Sequence, residues 1–459
     1  MGLAAVSQDS QTDTFAALYP RRRDNCDLDG LERLGDPWAN CEELRAGALQ
    51  NLLRYLLSEA SDAEDARRLV ALHRFWGDAA TLEAACQPLP AAARRRRAKL
   101  RIGLLSSDLR DHPVGRHVLP WLRHYDRGRF EIVAFSPDER AGDPVQGEIR
   151  AQIGGFEILG DCGLRETAER IRAADIDILL ELNGHTVGTR LGALAYRAAP
   201  AQIEWLGYQF TSGLPAVDYF LMDDRLAPSA PGLLCETPLL VAESWVCYGG
   251  DEATDIAPAP MSRNGFVTFG TMGHPFKYTR RSFALWAGCL GAVPGARFLF
   301  VRPEAGDSGF RANVLTAFDR EGIDRERIAF FDNRSAGVSH FAGYNEIDIA
   351  LDTAPVAGGT TTGDALWMGV PVVSLTGAAP HQRLGSSLLA GAGLSSLCAG
   401  SAEGFVRLAA ALAADGEGLA RLRRELRLRM RNRPLGDAPR FAQAFDAALV
   451  AAAQARGLA

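Results

Sequence analysis

The chain has 459 residues, 47% of them hydrophobic and 23% charged, with 50 Lys and Arg against 56 Asp and Glu for a formal net charge of −6. That length exceeds one ordinary hydrophobic core and points to two domains plus an appendage in a folded, globular protein. The charge excludes bulk electrostatic binding to nucleic acid or an anionic membrane, and no uninterrupted apolar run reaches the roughly 18 residues of a membrane helix.

The opening MGLAAVSQDSQTDTF lacks the basic-then-apolar order of a signal peptide, so a cytoplasmic location without membrane insertion is expected. The eight cysteines (Cys26, Cys41, Cys86, Cys162, Cys235, Cys247, Cys289 and Cys398) show no CxxC and no Cys/His zinc spacing, so reduced thiols and no metal site are expected.

In chain order, residues 1–14 are polar and read as a disordered tail. Residues 15–95 are helical. CEELRAGALQNLLRYLL and AEDARRLVALHRFWGDAATLEAA carry apolar residues at three- and four-residue spacing, which suits one or two helical hairpins serving as a cap or an acceptor platform. No 34-residue self-similarity supports a tetratricopeptide array. The stretch from Pro88 to Lys99, with arginines at Arg94 to Arg97, reads as a linker and a solvated boundary.

From residue 96 to about 255, strands such as LRIGLLSS, FEIVAFSP, DILLELN, AQIEWLGY and DYFLMDD alternate with helices near Gly115–His124 and Arg165–Ala174. Near-continuous apolar strands separated by helices predict a parallel sheet covered on both faces. GGDEATDIAPAP breaks the pattern, which restarts over residues 256–430 with FVTFGT, ARFLFVR, RIAFFD, IDIALDT and VPVVSL. Residues 431–459 hold a C-terminal helix with Asp437 as candidate N-cap, open to packing back on the first domain. The fold class is therefore α/β, two tandem Rossmann-like domains after a small helical region. Ligand is expected in an interdomain cleft, at the carboxyl ends of the strands.

The stretch IDIALDTAPVAGGTTTGDALWMGVPVVSL, residues 347–375, is a strand, a tight turn at Ala357–Gly359, a hydroxyl-rich helix start at Thr360–Thr362 and a second strand. The first amides of a helix have no intrahelical partner, so such a loop suits a diphosphate.

Several separated blocks carry a family resemblance: IGLLSSDLRDHPVGRH, DILLELNGHTVGTRLGALAYRAAPAQIEWLGYQFTSGLPAVDY, FVTFGT with FKYTRRSFALW, ALDTAPVAGGTTTGDALWMGVPVVSL, and RMRNRPLGDAPRF. Together they resemble family 41 glycosyltransferases, the group of O-linked N-acetylglucosamine transferases, SPINDLY proteins and bacterial relatives. The resemblance implies a GT-B fold and an inverting, metal-independent transfer without a bound cofactor. It implies a UDP-N-acetylglucosamine or UDP-hexose co-substrate, with GDP-fucose as a third option, and a Ser/Thr or Asn side chain of a protein as acceptor. A nucleotide-sugar epimerase and a non-catalytic nucleotide-sugar-binding protein are the alternatives.

By the same resemblance Thr360 and Thr361, with Gly358 and Gly359 at the turn, hold the diphosphate, Asp364 takes the ribose, His340 stacks on the base and Lys277 is the catalytic lysine. Gly359 stands where the family commonly has histidine, and His274 where relatives have Gln or Asn at a donor contact. His112 and His185 follow first-domain strands and are the candidate acceptor-side groups, since a histidine can exchange a proton near neutral pH. Asp108 and Glu181 are candidate supports for these loops or buried structural carboxylates, and Gln209 and Phe210 depart from the family's YPGTSG loop.

Overall fold

The structure, a computed structural model, describes residues 8–90 and 97–458 and falls into two compact units, each built on one parallel sheet. The first sheet contains β1 (Leu100–Leu105), β2 (Phe130–Ser136), β3 (Gly155–Ile158), β4 (Ile178–Glu181), β5 (Ala201–Glu204), β6 (Tyr219–Met222) and β7 (Thr237–Leu240). Its strand order is β3-β2-β1-β4-β5-β6-β7. The second contains β8 (Thr268–Thr271), β9 (Arg297–Val301), β10 (Ile328–Phe331), β11 (Ile349–Leu351), β12 (Val372–Leu375) and β13 (Cys398–Ala399), in the order β10-β9-β8-β11-β12-β13. Both are doubly wound Rossmann-like sheets. The strand order reverses between β1 and β4 and again between β8 and β11, and a crevice at the carboxyl ends of such a pair is where this architecture binds ligands.

The central strands are buried on both faces because helices cover them. Ile102, Leu104 and Ile178 to Leu180 have 0% exposure, as do Phe269, Phe298 and Phe300. This explains their continuous apolar reading. In the β8–β13 unit an aromatic cluster of Phe283, Trp286, Phe298 and Phe318 packs beneath the helix Arg280–Ala292. Trp286 Nε1 then donates to the Asp352 carbonyl at 3.2 Å, which ties this core to the loop after β11.

In the β1–β7 unit the C-terminal helix Ala438–Ala455, capped by Asp437, packs on the helix Pro113–His124. Phe445 lies 4.8 Å from Trp121 and 4.4 Å from Trp205 between ring centroids, and Asp446 accepts from Trp121 Nε1 at 2.8 Å.

Several local expectations shift. The first helix runs Gln8–Asp24, so helix begins inside the stretch read as a disordered tail, while residues 1–7 lie outside the described residues. Among the described residues of the N-terminal region there are five helices: Gln8–Asp24, Leu28–Arg33, Pro37–Glu42, Ala46–Leu56 and Ala63–Cys86. The two six-residue ones start at Asp27 and Asp36 caps and are too short to show periodicity. The helix expected from Gly115 starts at Pro113, because His112 supplies the cap and Pro fits the first turn. The short strands β3, β7 and β13 were not legible. β7, for example, is a sheet-edge strand with Pro238 inside and mostly exposed residues. Of the arginine run, residues 91–96 lie outside the described residues, and Arg97 pairs with Asp175 at 2.7 Å. All eight cysteines are free thiols.

Candidate active site

At the β8/β11 switch point the loop after β11 is fixed from below by a buried carboxylate. Asp352 Oδ1 accepts from the Thr353 and Gly358 amides at 2.8 and 2.7 Å, and Oδ2 accepts from Ser374 Oγ at 2.6 Å. Burial raises the Asp352 carboxyl above its usual range, against the pull of Ser374, Gly358 and Lys277. The loop delivers Gly359 to the N-cap of the eight-residue helix Thr360–Trp367. Gly359 brings no side chain to its first amides.

The hydroxyls divide. Thr362 is buried and its Oγ1 donates to the Gly358 carbonyl at 3.1 Å, so it holds the turn, whereas Gly359, Thr360 and Thr361 are part-exposed. A Cβ at Gly358 would fall 2.6 Å from Thr362 Oγ1 and 2.8 Å from Thr361 Oγ1, so this position admits glycine alone without rearrangement. A Cβ at Gly359 would meet only Leu384 Cδ1 at 3.9 Å, an ordinary contact. Packing of the Cβ therefore leaves room for a side chain at position 359.

From the β8 side, Lys277 closes the short turn Pro275–Lys277, and its Nζ donates to the Ala357 carbonyl at 3.1 Å. Burial lowers its affinity for a proton, Asp352 opposes that shift, and Arg302 adds to it. A cation thus stands on the turn that leads into the helix Thr360–Trp367, held in a poorly solvated place where its field is strong. His274 caps the same turn, accepting from the Phe276 amide at 3.4 Å, with its Nδ1 3.9 Å from Asp24 Oδ1 on the first helix. His340 and Asp364 are brought together, with Nε2 and Oδ2 2.8 Å apart. Asp364 is 4% exposed and His340 is open to solvent. Tyr344, one turn after His340, donates to the Thr361 carbonyl at 3.1 Å. Asp352, Tyr344 and Arg302, which donates to the Met272 carbonyl at 2.8 Å, support this site and were not singled out from sequence. The position of Asp352 at the end of an apolar strand was the available signal.

At the β1/β4 switch point Asn183 ties the two loops. Its Oδ1 accepts from the Ser107 amide at 2.9 Å, and its Nδ2 donates to Ser107 Oγ and Asp108 Oδ2, both at 3.0 Å. Asp108 thereby supports the loop, and Glu181 Oε2 accepts from the Asn183 and Gly184 amides. His112 Nδ1 accepts from the Val114 amide at 3.3 Å and lies 3.7 Å from Asp108 Oδ2, with 35% of its side chain exposed. Burial lowers its pKa against the raising effect of Asp108. The neutral ring therefore keeps its lone pair on Nδ1 and its proton on Nε2.

His185, by contrast, is 3% exposed. Its Nε2 donates to the Ser212 carbonyl at 2.8 Å, and its ring packs edge-on against Trp76, His73 and Tyr208. Burial holds its pKa down at about 4, so it is neutral at neutral pH. Of the two histidines, His112 is part-exposed and His185 is an interior group. In the YQFTSG loop, Tyr208, Phe210, Thr211 and Ser212 are buried, so those side chains form the floor of the unit. Among the described residues no group of three or more His, Cys, Asp or Glu could hold a metal ion, and no helix is long and apolar enough to cross a membrane.

Comparison with known proteins fits this geometry. The model of Glycosyl transferase family 41 matches residues 79–231 and 264–445. The chain is 33% identical over 353 residues to the probable UDP-N-acetylglucosamine–peptide N-acetylglucosaminyltransferase SPINDLY of Arabidopsis thaliana, which covers 76% of this chain and 38% of that protein. It is 26% identical over 364 residues to the similarly described SEC protein of the same plant, 76% of this chain and 36% of that one. The chain thus spans little more than a third of the length of these curated relatives. Among solved structures, a Thermobaculum terrenum O-GlcNAc transferase mutant superposes with a TM-score of 0.74 at 26% identity, covering 98% of this chain and 99% of that one, which makes the fold GT-B-like.

Proposed function

The chain belongs to glycosyl transferase family 41, and on that premise we propose that it transfers a sugar from a nucleotide-sugar donor to a side chain of a protein acceptor. The observation that carries this reading is the convergence of Lys277 with the Gly358–Thr361 helix start at one switch point. The part-exposed Thr360 and Thr361 hydroxyls and the first helix amides take the diphosphate. The Lys277 ammonium moves from the Ala357 carbonyl to the bridging and terminal oxygens as the glycosidic bond breaks. Charge that grows on the leaving nucleoside diphosphate is then met by fixed donors and a cation, which is the reason we assign a metal-independent transfer. Asp364 accepts from a ribose hydroxyl, and His340 lies beside the base.

UDP-N-acetylglucosamine is the first donor to test, because the SPINDLY and SEC relatives are probable UDP-N-acetylglucosamine–peptide N-acetylglucosaminyltransferases, with UDP-glucose next. A Ser/Thr hydroxyl or an Asn amide attacks the anomeric carbon opposite the diphosphate: the new glycosidic bond forms as the bond from that carbon to the diphosphate oxygen breaks, the carbon inverts, and the acceptor proton leaves with the departing diphosphate. In the β1–β7 unit, His112 with its proton on Nε2 can donate a hydrogen bond to a substrate oxygen.

The test is a panel of UDP-N-acetylglucosamine, UDP-glucose and GDP-fucose, read by thermal unfolding and by product formation on peptide mixtures. A true donor at 100 times its Kd stabilises the fold by about 2.7 kcal/mol. Absence of a shift, of hydrolysis and of transfer with all three overturns the reading.

A further inference from the structure

Glu181 and Glu204 are the last residues of β4 and β5 and are direct partners in the parallel register. Both have 0% exposure. Glu181 Oε2 accepts from the Asn183 and Gly184 amides at 3.1 and 2.6 Å, and so holds the turn that leads into His185. Glu181 Oε1 and both Glu204 oxygens have no hydrogen-bond partner among the described residues, and the two side chains are neighbours across the ladder. The turn rests directly on the pair. Gly184 has φ +53°, and a Cβ there would fall 2.9 Å from Glu204 Oε1 and 2.3 Å from Tyr208 Cβ.

Among the described residues the charged groups that act on the pair are acidic. The ionisable groups that act on the pair are Asp108, from the loop after β1, and Glu236, which is itself engaged by Thr211 and Ser212. Tyr208, beside Glu204, donates its hydroxyl to His73 Nε2 at 2.8 Å, since His73 Nδ1 is committed as donor to the Leu69 carbonyl. His185 is neutral and turned to Ser212. Two adjacent buried carboxylates cannot both carry charge under these conditions.

We propose that Glu204 keeps its proton at neutral pH and donates it to Glu181, and that this acid–carboxylate pair is the positioning device of the 183–186 turn. Glu181, as the charged partner, then has its lone pairs met by two amides and one O–H, which leaves no orphan on that side chain. The electrostatics agree, since Glu204 is pushed well above the usual carboxyl range and Glu181 up to about 7. Because the folded Glu204 carboxyl titrates above its unfolded value near 4.5, its retained proton favours the fold below that folded value and the advantage is lost as pH rises through it, with up to a tenfold change in the unfolding equilibrium constant per pH unit. The inference concerns the turn and does not depend on which sugar, if any, the protein transfers.

Infrared spectroscopy of the intact chain tests the shared proton without any variant. A carboxylic-acid carbonyl band should be present at pH 7 and disappear at higher pH, and its absence at pH 7 overturns the proposal. In Glu204→Gln the amide can replace the O–H donor, so that band should be lost, and its persistence assigns the proton elsewhere and overturns the proposal. For the positioning role, hydrogen exchange over residues 182–188 should stay as protected in Glu204→Gln as in the parent chain and lose about tenfold or more in Glu204→Ala. Equal protection in both variants refutes it.

Discussion

His340 Nε2 and Asp364 Oδ2 lie 2.8 Å apart, one at the start of the helix His340–Gly343 and the other one turn into the helix Thr360–Trp367. Residues 24 positions apart are thus joined across the proposed nucleoside site. Asp364→Asn keeps the volume and removes the charge that both His340 and a ribose hydroxyl use. Donor affinity should fall about tenfold, the loss of one charge-assisted hydrogen bond, with little change in the thermal unfolding temperature of the free protein. Isothermal titration with UDP and with UDP-N-acetylglucosamine measures it. Equal affinity in both forms removes Asp364 from the site.

Lys277→Ala should lower turnover by about 10² or more, the usual cost of losing a donor aimed at developing charge. Binding of the nucleotide should weaken far less, because that charge is smaller in the ground state. Single-turnover kinetics beside titration separates the two. A loss confined to KM would make Lys277 a binding group only.

Gly358→Ala should damage the site through geometry. The added methyl must displace Thr361, Thr362 or the Asp352 carboxylate, all three of which would lie within 3.0 Å of it. A loss of about 1–3 kcal/mol in stability is expected, together with weakened diphosphate binding. Gly359→Ala, whose methyl meets only Leu384 Cδ1, is the control and should cost less by both measures. Reversal of that order in thermal unfolding and UDP titration would place the tight approach at the wrong glycine.

The alternation of apolar strands and helices revealed both sheets, because a parallel sheet covered on two faces turns its strands into runs such as RFLFV and ILLE. Thr360, Thr361 and Lys277 stood out in the sequence because their loops carry local and family patterns. The structure adds that Thr362, identical in type, faces inward. Sequence alone did not separate His112 from His185. Both follow strands of one sheet, and only the packing of Trp76, His73 and Tyr208 around the second shows it to be interior. Glu204 and Asp352 escaped notice for a related reason, since a carboxylate at a strand end looks the same whether it faces water or a neighbouring loop.

Asp446→Ala should destabilise the β1–β7 unit. Asp446 accepts from Trp121 Nε1 and from the Asp126 amide, both at 2.8 Å, and Trp121 has 0% exposure, so its indole N–H would be left buried and unpaired. The expected cost is about 1–3 kcal/mol. Pairing it with Trp121→Phe should recover part of the loss, because both hydrogen-bonding partners are then gone. A double variant no more stable than the single one would show that packing against Phe445, not the hydrogen bond, dominates this contact.

His185 should set part of the acid limit of stability. Its folded pKa is depressed to about 4 from 6.5 by burial, so its contribution is present above 6.5 and is lost as pH falls towards 4. The full loss is about 3 kcal/mol at 1.36 kcal/mol per pH unit. Glu181 acts with the opposite sign between 7 and 4.5, so the parent chain's own pH curve mixes the two. The clean readout is the difference between the parent chain and His185→Gln, whose amide can still donate to the Ser212 carbonyl. Chemical denaturation at pH 7, 6, 5 and 4.5 should show the variant gaining relative to the parent as the pH falls, with most of the gain below 6. A difference that stays constant with pH would mean that His185 can take up a proton without leaving its aromatic cage, and would return it to the list of groups able to exchange protons with an acceptor.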